Sequence, residues 1–144
     1  MAKVLIIYHS QGGNTKVAAE IVAEGVREVK GSEPKVVEGL KGTIEDLLDC
    51  SAIAVGTPDY FSYMAGGVKD FFDRTYYPAQ GKVVNKPCGI FVTHGGGGKA
   101  VESLQAICKD YKFKFVCEAV LVQGHPDEVA SVKLREMGKL LAMQ

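Results

Sequence analysis

Val4-Leu5-Ile6-Ile7-Tyr8-His9-Ser10-Gln11-Gly12-Gly13-Asn14-Thr15-Lys16 is the stretch on which the fold turns. Val4 to Tyr8 is an unbroken apolar run, the pattern of a strand covered on both faces. A polar loop with two glycines follows. Ala18, Ile21, Val22, Gly25 and Val29 then recur at helical spacing across residues 14–29. Strand, glycine loop and helix open a βαβ unit, and the unit repeats down the chain. Lys35-Val36-Val37-Glu38 alternates as an edge strand does, residues 43–49 read as a short helix, and Ala52 to Val55 as a third strand. Val68, Phe71, Phe72 and Thr75 mark a helix face, and Gly89 to Val92 a fourth strand. Ala100, Leu104, Ile107 and Tyr111 mark the next helix, Phe115 to Val122 the fifth strand, and Ala130, Leu134, Met137 and Leu141 the last helix.

This alternation predicts one α/β domain over residues 1–144, a three-layer sandwich with helices on both faces of a five-stranded parallel sheet. Right-handed crossovers leave two plausible strand orders. The order 2-1-3-4-5 puts the polar second strand and the Glu118-bearing fifth at the edges, with the three apolar strands inside. Ligands of such sheets bind beyond the carboxyl ends of the strands.

Composition narrows the function. Lys and Arg total 17, as do Asp and Glu, so the formal charge is zero. That balance argues against a nucleic-acid partner and a polybasic membrane contact. No apolar run approaches the roughly 18 residues of a membrane helix, and the expected location is the cytoplasm. Cys50, Cys88, Cys108 and Cys117 form no C-x-x-C pair, so they read as reduced core thiols rather than metal ligands. Glycine is over-used: 17 of 144 residues, against roughly 7% in average usage. Gly12, Gly13, Gly56, Gly66, Gly67, Gly95 to Gly98 and Gly124 fall at or just after strand carboxyl ends, together with His9, His94 and His125. Four consecutive glycines exceed the needs of a turn. One edge of the sheet reads as a ligand site.

Ser10-Gln11-Gly12-Gly13-Asn14-Thr15 gathers hydroxyls, amides and free N–H groups at a helix N-terminus, where the dipole favours an anion such as phosphate. Lys16 is the nearest cation. The competing structural reading is an ordinary helix capped by Asn14 or Ser10. There is no Walker loop. A G-x-G-x-x-A string at Gly95, Gly97 and Ala100 lacks the acid at a strand end that a dinucleotide fingerprint requires. A receiver domain would need paired acids after strand one, where this chain has His9-Ser10.

At this point the sequence resembles the flavodoxin-like flavoproteins. Residues 10–15 are similar to their [ST]-x-T-G-N-T loop for the FMN phosphate, with Gly12 where threonine is common. Gly56-Thr57-Pro58-Asp59-Tyr60-Phe61-Ser62-Tyr63-Met64-Ala65-Gly66-Gly67-Val68-Lys69-Asp70-Phe71-Phe72-Asp73-Arg74 resembles a stretch of NAD(P)H-dependent FMN reductases and of quinone oxidoreductases of the tryptophan-repressor-binding-protein type. Thr93-His94-Gly95-Gly96-Gly97-Gly98 resembles their glycine-rich loop at the isoalloxazine edge. The resemblance implies the flavodoxin-like fold and one non-covalent FMN. Ser10, Gln11, Gly13, Asn14 and Thr15 would hold its phosphate. Thr57, Pro58, Asp59, Tyr60 and Phe61, with Thr93, His94, Gly95, Gly96 and Gly97, would hold its ring. No side chain is nominated as an acid–base or covalent catalyst, because the ring itself carries the redox chemistry.

Two functions follow from the resemblance. One is an enzyme that takes hydride from NAD(P)H and reduces a quinone, a flavin or a similar small acceptor. The other is a flavodoxin-type carrier passing electrons between redox protein partners. The length resembles short flavodoxins. The zero net charge does not, since flavodoxins are typically acidic, and His94 near the ring would favour a reduced, negatively charged flavin when protonated. Related reductases are often dimers or tetramers, and Tyr76-Tyr77-Pro78 is the candidate contact.

Overall fold

The apolar runs become strands and helix faces in the computed structural model, which describes residues 2–144. In chain order the elements are β1 (Lys3–Tyr8), α1 (Asn14–Arg27), β2 (Glu33–Glu38), α2 (Ile44–Asp49), β3 (Ala52–Tyr60) and β4 (Tyr63–Met64). They continue as α3 (Gly66–Ala79), β5 (Pro87–His94), α4 (Ala100–Asp110), β6 (Lys114–Phe115), β7 (Val120–Gln123) and α5 (Glu128–Ala142). β2, β1, β3 and β5 lie side by side in parallel, and both β6 and β7 pair with β5 on its outer side. With β6 and β7 taken together as one fifth strand, the order is the expected 2-1-3-4-5. No helix among the described residues is long and apolar enough to cross a membrane.

Two details correct the sequence reading. The fifth strand is interrupted: Cys88 faces Phe115 and Phe91 faces Val120, so three steps along β5 match five along its neighbour. The surplus residues leave the ladder, with Val116 N still donating to Cys88 O at 3.0 Å. The second is β4, an unexpected hook pairing antiparallel with β3. β3 itself runs on to Tyr60, so Gly56 lies inside the strand. A Cβ there would stand 2.1 Å from the Phe91 ring; this glycine makes room for packing and not for a ligand.

Alternate strand residues feed two core layers, as a pleated strand requires. Leu5, Ile7, Ile53, Val55 and Ile90 pack with Leu47, Phe71, Phe72 and Leu104 of α2, α3 and α4. Val4, Ile6, Ala52, Ala54 and Phe91 pack with Val22, Leu134 and Leu141 of α1 and α5. α1 and α5 cross closely because both carry glycine at the crossing. A Cβ on Gly25 would sit 2.0 Å from Arg135 O, and one on Gly138 2.1 Å from Val22 O. Cys50, Cys88 and Cys108 are buried free thiols and Cys117 is half-buried. Burial pushes the Cys88 thiol well above its usual range.

Helix α2 starts in a reciprocal cap: Thr43 Oγ1 accepts from Asp46 N at 3.1 Å, and Asp46 Oδ2 accepts from Thr43 N at 3.0 Å. Lys35 Nζ also pairs with Asp46 Oδ1. Burial pushes the Asp46 carboxyl up, but the bonds from Lys35 and Thr43 outweigh it and leave it below the usual carboxylate range.

Two stability predictions follow from these contacts. Gly138→Ala would gain about 1 kcal/mol from helix propensity alone, but overpacking against the α1 backbone costs about 1–3 kcal/mol. A lowered urea midpoint with unchanged m-value is the expected result; a raised midpoint would contradict the close crossing. Because the folded-state pKa of Asp46 is depressed, its stabilisation is present above the usual carboxylate pKa of about 3.9 and lost as pH falls through the folded value. Asp46→Asn is therefore less stable than the parent at pH 7, and the two midpoints converge as pH falls through the folded value.

Candidate functional site at the carboxyl ends of the strands

The first loop is set by Gly13, whose φ of 103° lies in the left-handed region and turns the chain into α1. Ser10 Oγ accepts from Gly13 N at 3.1 Å, one residue before the helix. The helix ladder starts with Val17 N donating to Gly13 O at 3.0 Å. α1 has no side-chain cap and no acid in its first turn. The capped-helix reading of Asn14 or Ser10 therefore fails. The N–H groups of Asn14, Thr15 and Lys16 remain at the positive end of the helix dipole, free for an anion. Thr15 is buried, and its hydroxyl meets Thr93 Oγ1 at 2.7 Å, fastening the start of α1 to the end of β5.

The second loop is a hairpin. Tyr60 faces Tyr63 and Asp59 faces Met64 across β3 and β4, and the turn between them is Phe61-Ser62, with φ of 57° and 61°. Two consecutive left-handed residues make the tight mirror-image turn that usually takes Asn-Gly. Its base is locked. Fully buried Thr57 donates from Oγ1 to Pro58 O at 2.7 Å and accepts from Ala65 N at 2.8 Å, while Ser103 Oγ accepts from Met64 N at 3.0 Å. Tyr60 lies edge-on to His9, ring centroids 6.1 Å apart. Phe61 is fully exposed at the tip.

The third loop follows β5. Gly98 N donates to Asp59 Oδ2 at 2.7 Å, so a carboxylate of the second loop holds the third. Gly124 N donates to His94 O at 2.9 Å, which brings in the turn after β7.

Between these loops lies an open cleft of about 250 Å³. Of the residues expected from the sequence, Ser10, Gln11, Asn14, Thr15, Pro58, Asp59, Tyr60, Thr93, His94 and Gly95 line it. Gly13, Thr57, Phe61, Gly96 and Gly97 do not: Gly13 shapes its loop, Thr57 is a buried lock, Phe61 projects outward, and Gly97 stands beside Asp59. Gly12 and Gly124 also line the cleft, and their signal in the sequence was the crowding of glycine at the strand ends.

Asp59 is the one Asp or Glu in this lining, and no Lys or Arg lines it. Among the described residues, two buried side-chain polar atoms lack a hydrogen-bond partner, Asp59 Oδ1 and His94 Nδ1. Both residues belong to the cleft. Buried polar groups in native proteins are nearly always paired, so this coincidence marks the cleft as a place completed by a ligand. A hollow of about 590 Å³ between β7 and α5 and one of about 270 Å³ at the far ends of α3 and α4 contain no such atom. The cleft thus offers an anion end at α1, an aromatic wall at Tyr60 and, at its other side, an unpaired acceptor and an unpaired ring nitrogen. A flat polar heterocycle carrying a phosphate matches that set.

Comparison with known proteins agrees in kind. The family described as NADPH-dependent FMN reductase matches residues 35–127. A flavodoxin of Aquifex aeolicus (strain VF5) is 35% identical over 144 residues, covering 99% of this chain and 75% of that protein. An NAD(P)H dehydrogenase (quinone) of Chromohalobacter salexigens is 35% identical over 130 residues, covering 72% of this chain and 65% of that protein. Among solved structures, a flavodoxin from the domain Archaea superposes with a TM-score of 0.88 at 21% identity, covering 98% of this chain and 96% of that one. A flavodoxin, WrbA-like protein from Agrobacterium tumefaciens superposes with 0.83 at 22% identity, covering 99% and 96%. At these identities the structural likenesses speak for the fold.

Proposed function

Because the chain belongs to the flavodoxin-like, FMN-binding family of the NADPH-dependent FMN reductases, we propose that it holds one FMN non-covalently in the cleft and works as an NAD(P)H-dependent reductase of a quinone, a flavin or a similar small acceptor. FMN, when bound, supplies a ring that accepts hydride from a nicotinamide and delivers two electrons onward. The residues present fit that group. The uncapped first turn of α1, with Ser10, Gln11 and Asn14, would take the phosphate through neutral donors, and Gly13 would shape that loop through its bond to Ser10. Thr15 would act mainly by fixing α1 to β5, since its hydroxyl is engaged by Thr93. Pro58, Asp59 and Tyr60 would flank the ring on one side, and Thr93, His94 and Gly95 on the other. Thr57 would hold that wall in shape, and Gly96 and Gly97 would carry the chain to the Asp59 contact.

The observation that carries the reductase reading is the sparse negative charge of the cleft. Its single carboxylate already shares one oxygen with Gly98 N, and His9 just after β1, His94 at the end of β5 and His125 just after β7 all lie on this edge. Such surroundings tolerate the negative charge of a reduced ring, which favours two-electron chemistry. The carrier reading rests on the likeness to the Aquifex flavodoxin across 99% of this chain. Anaerobic visible spectra of FMN-loaded protein separate the two. Bleaching of the yellow colour within seconds of adding NADH or NADPH is the reductase outcome. Colour that persists with both nucleotides and bleaches only with a chemical reductant is the carrier outcome. Protein that retains no FMN would refute both.

His94→Ala is expected to lower the two-electron potential of the bound flavin, because His94 lines the cleft and its Nδ1 has no partner within the protein. Potentiometric titration of parent and variant checks this; equal potentials would remove His94 from the account.

A further inference from the structure

Helix α5 has apolar residues on two sides. Leu134, Met137, Leu141 and Ala142 are buried in the core layer shared with α1. On the opposite side Val129, Val132, Lys133, Glu136, Leu140 and Met143 recur at helical spacing and fall within roughly a third of the circumference. Val129 is 64% exposed, Val132 55% and Met143 68%, where the outward face of a surface helix ordinarily carries polar residues. This stripe borders the hollow of about 590 Å³ between α5 and β7, lined by Ala119, Val120, Val132, Met137 and Leu140. β7 pairs with β5 alone, so its outer side is an open sheet edge. An apolar helix face beside an open strand edge is a surface that proteins cover.

The charges of α5 indicate what covers it. On the side toward α1, Arg135 Nη2 meets Glu24 Oε2 at 3.2 Å and Lys139 Nζ meets Glu28 Oε1 at 3.7 Å. Lys133 and Glu136, both exposed on the outer stripe, make no ion pair among the described residues. They stand three positions apart, opposite in sign, near the middle of the stripe, with apolar residues toward both ends.

We propose that this face is a homodimer interface, with α5 of one copy antiparallel to α5 of a second across a two-fold axis. Lys133 of each copy then faces Glu136 of the other, and Val129 and Val132 of each pack against Leu140 and Met143 of the other. Glu118, on the strand side of the hollow, adds a second acceptor for that lysine. A two-fold interface must be complementary to itself, and one cation and one anion near its centre satisfy that condition. Zero formal charge on the whole chain removes net repulsion between copies. Because α5 runs back along the strands, antiparallel pairing points the two clefts in opposite directions and covers neither. The interface lies on the other face of the sheet from α3 and its Tyr76-Tyr77-Pro78, the contact expected from the sequence.

Sedimentation equilibrium of the full chain tests the assignment. The parent is expected at twice the 15.5 kDa of one chain. Val132→Asp, at an exposed position outside the core, is expected to raise the dimer dissociation constant at least about tenfold. Lys133→Glu and Glu136→Lys each set like charges across the axis and weaken the dimer, whereas the double exchange restores both pairs and the parent's constant. The charge series carries the test by itself if Val132→Asp does not fold. A parent that stays monomeric overturns the proposal and leaves the face to a different protein or to an apolar ligand. A dimer indifferent to Val132→Asp forms through another surface and overturns it as well. A double exchange as weak as the single variants overturns the antiparallel pairing.

Discussion

The handedness of the crossovers is the constraint from which the rest follows. β1 sits inside the sheet with β2 on one side and β3 on the other. Right-handed connections then send α1 to one face and α2 and α3 to the opposite one. The loops leaving β1 and β3 must diverge, and a crevice opens between them above the strand ends. Everything at the site is a way of furnishing that crevice. The Gly13 turn delivers a bare helix end to one side, the Phe61-Ser62 hairpin raises a wall on the other, and the glycine run after β5 approaches closely enough to be held by Asp59.

The furnishing is bonded together across long distances in sequence. Thr15 and Thr93, 78 positions apart, share a hydrogen bond, and Asp59 reaches Gly98 across 39. Neither link lies within one element, so each loop is held by the strand order itself. Burial of the three main strands on both faces keeps that order rigid, and the polar atoms left over are those that a ligand would satisfy. A preorganised cleft of this kind loses little conformational entropy when it binds.

Much of this was legible in the sequence because its signals are local. Val4 to Tyr8, the helical spacing of Val68 to Thr75 and the loop from Ser10 to Thr15 each declare themselves within a dozen residues. What escaped depends on tertiary fit. The fifth strand reads as continuous because Phe115 to Cys117 are all apolar, yet its two surplus residues show only against β5. The β4 hairpin hides because Phe-Ser is not a turn signature, and its strain is held by Thr57 and Ser103 from elsewhere in the chain. Gly56 counted as a loop glycine until Phe91 was seen to need its space. Ten of the fifteen residues assigned to the site line the cleft. Of the other five, Gly13 and Thr57 shape it, Gly97 stands beside Asp59, and Phe61 and Gly96 lie outside it, a distinction that spacing alone does not draw.

The close crossing of α1 and α5 ties the order of folding to the order of synthesis. α1 carries the anion end of the cleft, yet its buried face, through Ala18, Val22 and Val26, belongs to the core layer completed by Leu134, Met137 and Leu141. On a growing chain residues 14–27 are made about a hundred positions before their partner, residues 128–142. Until that segment leaves the ribosome, the face of α1 is bare and the anion end lacks its backing. β1, β2, β3 and β5 are all made before α5, so this side of the sheet stays uncovered until α5 arrives, the interval in which a chaperone has most to shield.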